Sequence, residues 1–109
     1  MQLQFSSSDS ELTVRLDGEI DHHSSIRLRS EIDAAIYAHL PHTLILDFSR
    51  VSFMDSSGIG LIMGRYRILQ PLGSSIVLLD PAPHISLVLR LAGMERLASI
   101  RTSAQKEVI

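Results

Sequence analysis

Cysteine and tryptophan are both missing from the 109 residues. Without thiols there is no disulfide framework, no thiolate metal site and no cysteine nucleophile. Aromatic side chains are scarce, three Phe and two Tyr, so any core must be packed from Leu, Ile, Val and Ala. Charge of one sign is also lacking. Ten Lys and Arg against 12 Asp and Glu leave a formal net charge of -2, too weak a field to gather nucleic-acid phosphates or anionic lipid. Nucleic acid and membrane are therefore not expected as partners. The opening MQLQFSSSDSE has neither the basic flank nor the apolar stretch of a signal peptide. No run approaches the roughly 20 apolar residues of a membrane helix. These absences together lead us to expect a cytoplasmic protein.

What the chain does have is an apolar fraction of 45%, enough for one packed core and too much for disorder. A chain of this size suits a single domain over residues 1–109. Residues 11–16 alternate, with Leu12, Val14 and Leu16 on one side. With the weaker alternation of residues 3–5, and Ser6 to Ser10 as the turn, they predict an opening hairpin whose second strand ends at Gly18. Leu28, Ile32, Ala35 and Ile36 recur at three- and four-residue steps. They predict a helix capped by Asp21 or a following His or Ser and closed by Pro41. LILDF, residues 44–48, reads as a central strand, and residues 49–54 as a linker.

A second helix is expected from about Ser57, with Ile59, Ile62, Met63, Tyr66 and Leu69 inward and Arg65, Arg67 and Gln70 outward, ended by Pro71 and Gly73. Residues 75–79 predict another strand. Ile85, Val88, Leu89 and Ala92 predict a third helix ending at Gly93. A last strand falls near residues 98–101, and a short helix near residues 103–108. Strands alternating with helices imply an α/β fold with a mostly parallel or mixed sheet and right-handed crossovers.

The segment richest in chemistry is FMDSSGIGLIMGRY, residues 53–66. Asp55, Ser56 or Ser57 can cap the helix that follows. Gly58 and Gly60 permit a tight first turn and close packing. A serine at this place is also open to another protein. A phosphate on it would meet free amides and the favourable end of the helix dipole, while about -1.5 to -2 of added charge beside Asp55 would disturb an interface fitted to a neutral hydroxyl. An independent serine hydrolase is disfavoured because Met54-Asp55-Ser56-Ser57-Gly58 is not a GxSxG elbow. A metal enzyme is disfavoured because His22, His23, His39, His42 and His84 form no HExxH pattern.

This segment, taken with GEIDHHSS at residues 18–25, resembles the STAS-domain anti-anti-sigma factors, most closely the sporulation branch of endospore-forming bacteria. The resemblance runs over nearly the whole chain and implies a STAS-like fold, a central sheet with packed helices. It implies a protein that is not an enzyme. No cofactor is expected, because the sequence has no GxxxxGKS/T phosphate loop and no basic residue beside Ser56 to cradle ATP, so the nucleotide would belong to the partner. Unphosphorylated, such a protein binds an anti-sigma factor that is also a serine kinase and so releases a sigma factor. Phosphorylation ends the interaction, and a separate serine phosphatase restores it.

The phosphoacceptor matches Ser56, with Ser57 as a neighbouring cap, although spacing does not separate two adjacent serines. The same resemblance makes Asp21, Asp55, Ser56, Ser57, Gly58, Ile59 and Gly60 the residues that contact the partner or shape its loop. A general-stress relative, or a STAS binding module that is not phosphorylated, is the alternative reading. The mixed surface has no dimerisation stripe, so a monomer is expected when the protein is free.

Overall fold

The computed structural model describes residues 1–103. Its strands are β1 (Gln2–Ser8), β2 (Glu11–Ile20), β3 (Thr43–Met54), β4 (Ser75–Leu79) and β5 (Ser99–Arg101), and its helices are α1 (His22–His39), α2 (Ser56–Leu69) and α3 (Pro83–Leu91). The sheet order is β1-β2-β3-β4-β5. β1 and β2 are antiparallel and every later pair is parallel. This is the α/β mixed sheet expected from the alternation of strands and helices. The short helix expected near residues 103–108 falls outside the described residues except at Ser103.

A strand order that follows the sequence, with right-handed crossovers, puts successive helices on one face of a sheet. The core agrees. Leu12, Val14, Leu16, Leu44, Leu46, Ile76 and Leu78 form one buried cluster with Leu28, Ile32 and Ile36 of α1, Leu61, Ile62 and Leu69 of α2, and Ile85 and Leu89 of α3. Ile45, Val77 and Leu79, of opposite parity along their strands, make a separate small cluster. Strand pleating sends alternate residues to opposite faces, which accounts for the two clusters.

Several boundaries differ from the sequence reading. Ser6 to Ser8 pair with Thr13 to Glu11 as strand, so the turn is only Asp9 and Ser10. Asp9 takes φ 53° there, a left-handed conformation that Asp tolerates. β2 runs on past Gly18 to Ile20. Gly18 has φ +125°, and a Cβ there would lie 3.2 Å from the Met1 Cα, so only glycine lets the strand continue.

Residues 49–54 are not a linker but the second half of β3. β3 advances three residues for two of β2 between the pairs Arg15–Asp47 and Asp17–Arg50, then two for one between Gly18–Val51 and Glu19–Phe53. Two such bulges leave Phe48, Val51 and Met54 buried at three-residue intervals. The period-two signal of a strand is thereby erased.

The helical faces shift as well. α2 buries Gly58, Leu61, Ile62, Arg65 and Leu69, while Met63 is exposed. Arg65, expected to face outward, is 4% exposed, and its Nε lies 2.8 Å from Oδ1 of Asp33 on α1. Burial pushes the Asp33 carboxyl above its usual value despite the Arg65 charge, and pulls the Arg65 guanidinium down. α3 buries Ile85 and Leu89, whereas Val88 is exposed. Beyond α3, a 3-10 turn at Met94–Arg96 buries Met94.

Candidate functional site

The register of β2 against β3 builds the site. Ile20 stands opposite Met54, and the amide of Asp55 donates to the carbonyl of Ile20 at 3.1 Å. Asp21 and Asp55 therefore leave two adjacent parallel strands side by side, each at the start of a helix. Open parallel sheets place their recognition loops at this carboxyl edge of the strands.

Both carboxylates are caps. Asp21 Oδ1 accepts from the Ser24 amide at 2.8 Å, and Ser24 Oγ accepts from the Asp21 amide at 3.0 Å, a reciprocal capping box. The Ser24 amide, more than any other partner, holds the Asp21 carboxyl below its usual value. Asp55 Oδ1 accepts from the Ser57 amide at 2.8 Å. The cap of α2 is thus Asp55 and not Ser57, and α2 begins one residue earlier than expected, at Ser56.

The two serines differ in consequence. Ser56 is exposed, and its hydroxyl makes no hydrogen bond among the described residues. Ser57 is half-buried. It lines a groove of about 220 Å³ between the first turns of α1 and α2 with His22, Ser25, Ile26, Arg29, Gly60 and Leu61. Ser25, Ile26 and Arg29 were not singled out from the sequence. Their spacing of three, four and seven residues from His22 along α1, which puts all four on one helix face, was the available signal.

The glycines divide in the same way. Gly58 is buried, and a Cβ there would overlap Cγ and Sδ of Met54. Its absent side chain serves the packing of α2 against β3. Gly60 and Gly64 would meet nothing within 4 Å, so no contact inside the chain asks for glycine at either place. Ile59 is half-buried and packs against the core.

Chemistry that would need an activated nucleophile finds no partner groups here. No histidine nitrogen hydrogen-bonds to Ser56 or Ser57 among the described residues, and the His84 ring is instead 3.1 Å from the Ser52 carbonyl. All five histidines are exposed. No three His, Asp or Glu side chains of the described residues gather closely enough to hold a metal ion. No helix among them is long and apolar enough to cross a membrane. The arrangement offers an accessible hydroxyl, a fixed carboxylate and a smooth helix face, which suit recognition by another protein.

Comparison with known proteins gives these features their family. The STAS domain matches residues 2–107. The anti-sigma F factor antagonist of Lysinibacillus sphaericus is 40% identical over 83 residues, covering 76% of this chain and 71% of that protein. Its counterpart in Paenibacillus polymyxa is 33% identical over 100 residues, covering 92% and 86%. Among solved structures, the anti-sigma factor antagonist SpoIIAA in its unphosphorylated form superposes with a TM-score of 0.81 at 34% identity, over 96% of this chain and 92% of that one. The phosphorylated form of the Bacillus cell fate determinant SpoIIAA gives 0.73 at 34% identity, over 96% of both. The chain belongs to the STAS-domain anti-anti-sigma factors, in the group related to the sporulation anti-sigma F factor antagonists.

Proposed function

We propose that the unphosphorylated chain docks an anti-sigma factor with serine kinase activity through Asp21, the Asp55–Ser56 loop and the glycine face of α2, and that phosphorylation of Ser56 ends the complex. In this reading residues 1–109 act as one domain in the cytoplasm. The kinase binds ATP. Its γ-phosphoryl group passes to Ser56 Oγ, which loses its proton, and ADP leaves. A separate serine phosphatase hydrolyses the ester and restores the binding form.

The observation that carries this reading is the division of labour at the start of α2. Asp55 holds the cap, so the Ser56 hydroxyl is exposed and unbonded and its modification breaks no bond of the fold. A phosphate there sits at the favourable end of the helix dipole, so α2 survives. Its charge of about -1.5 to -2 adds to the Asp55 carboxylate and repels a surface that had accommodated one negative charge and a neutral hydroxyl. The switch is electrostatic and local, and the sheet need not move.

Intact-mass and site-mapping analysis after incubation with ATP and the matching anti-sigma factor tests the assignment. One phosphoryl group is expected on the wild type and on Ser57→Ala, and none on Ser56→Ala, which should still bind. Ser56→Asp should bind more weakly. Phosphorylation of Ser56→Ala together with its loss in Ser57→Ala would move the acceptor to Ser57.

A further inference from the structure

The two edges of the sheet are protected very differently. An edge strand presents unpaired amides and carbonyls, and proteins blunt such edges by shortness, charge, proline or bulges. β5 is three residues long and contains Arg101. β1 has none of these devices. It runs for seven residues, QLQFSSS, without a charge or a proline, and it pairs with β2 in unbroken register from Gln2 to Ser8.

The side chains of β1 are also unusual. Phe5 stands opposite Val14, on the helix-bearing side of the sheet, yet it is 42% exposed. Leu3, opposite Leu16, packs against the core, whereas Phe5 extends past the cover of the helices. Phe5 is the central residue of the seven.

We propose that β1 is a self-pairing edge: two copies of this chain join β1 to β1 antiparallel about Phe5, forming one continuous sheet across the pair. This register places Phe5 against Phe5, Leu3 against Ser7, Gln4 against Ser6 and Gln2 against Ser8, and it is the symmetric register that pairs all seven residues. No like charges meet along β1, and two half-exposed rings cover each other at the centre. The joint is small, below the roughly 1,200 Å² of a stable complex. Self-association is therefore weak and shows only at high concentration, about 0.1–1 mM, while dilute protein is monomeric. No residue of β1 belongs to the Asp21–Asp55 site, so the proposal stands independently of the phosphorylation switch.

Sedimentation velocity of the purified chain from about 10 μM to 1 mM tests it. The wild type should shift towards the dimer with concentration. Phe5→Lys and Phe5→Glu should each remain monomeric, because like charges would then face each other across the axis. Their equimolar mixture should associate at least as strongly as the wild type. A wild type that stays monomeric throughout overturns the proposal, as does association unchanged in both variants, or a mixture that fails to pair. Amide exchange of the wild type gives a readout that needs no variant. Protection of β1 should rise with concentration, and unchanged protection at 1 mM would also overturn the proposal.

Discussion

Replacing Gly60 and Gly58 by alanine, one at a time, should move stability in opposite directions although the two positions are only two residues apart. Both are within α2, where glycine costs about 0.5–1 kcal/mol relative to alanine. A Cβ at Gly60 meets nothing within 4 Å, so Gly60→Ala should recover that cost almost in full. In a domain of this size, 1 kcal/mol raises the melting temperature by about 4–8 °C. At Gly58 the new methyl overlaps Met54, itself 8% exposed. Overpacking of this kind costs about 1–3 kcal/mol, which exceeds the helix gain and leaves a net loss.

Thermal and urea melts of the two variants measure the difference. A destabilised Gly60→Ala, or a stabilised Gly58→Ala, would refute the division of these glycines into an outward and an inward one. The same proteins carry a second readout. If the partner approaches α2 closely at Gly60, Gly60→Ala should be more stable and yet bind the anti-sigma factor less tightly. A stable variant with unchanged affinity would remove Gly60 from the contact surface.

Three other perturbations follow from single features. Leu40 ends α1 in the left-handed region, with φ 45° and ψ 57°, and its side chain is exposed; Leu40→Gly should stabilise by about 1 kcal/mol, read as a higher urea midpoint at unchanged m-value. Arg65→Met should cost about 2–3 kcal/mol, since it leaves the half-buried Asp33 carboxylate without its cation, and Arg65→Met with Asp33→Leu should recover most of the loss. A double variant no better than the single one would show that the pair does more than satisfy burial. The Asp21 carboxyl is depressed by its capping bonds, so its ionised form favours the fold. That contribution is complete above the unfolded value of about 3.9 and is lost as pH falls through the lower folded value. The stability gap between wild type and Asp21→Asn should therefore narrow as the medium is acidified below about pH 4, and a gap that widens would contradict the capping role.

The parts of the molecule whose physics is local were legible in one dimension. Period-two and three-four spacings marked Leu12 to Leu16 and Leu28 to Ile36, because a strand or helix with one buried face must repeat its apolar residues at its own period, and residues 75–79 stood out as a compact apolar run. Asp21 and Asp55 were legible as possible caps for the same local reason. The two motifs around them carried the resemblance that the family comparison then bore out.

Tertiary structure decided what depends on distant neighbours. The second half of β3 was hidden because its bulges exist only against β2, and they move Phe48, Val51 and Met54 off the strand period. Arg65 read as a surface residue until Asp33, 32 positions away, offered it a buried partner. The groove between α1 and α2 arises where two strand ends are held in register. Gly58 and Gly60 look alike in one dimension. They are separated only by what lies across from each, the Met54 side chain for one and open space for the other, because a missing side chain acquires its meaning from the surface it would have met.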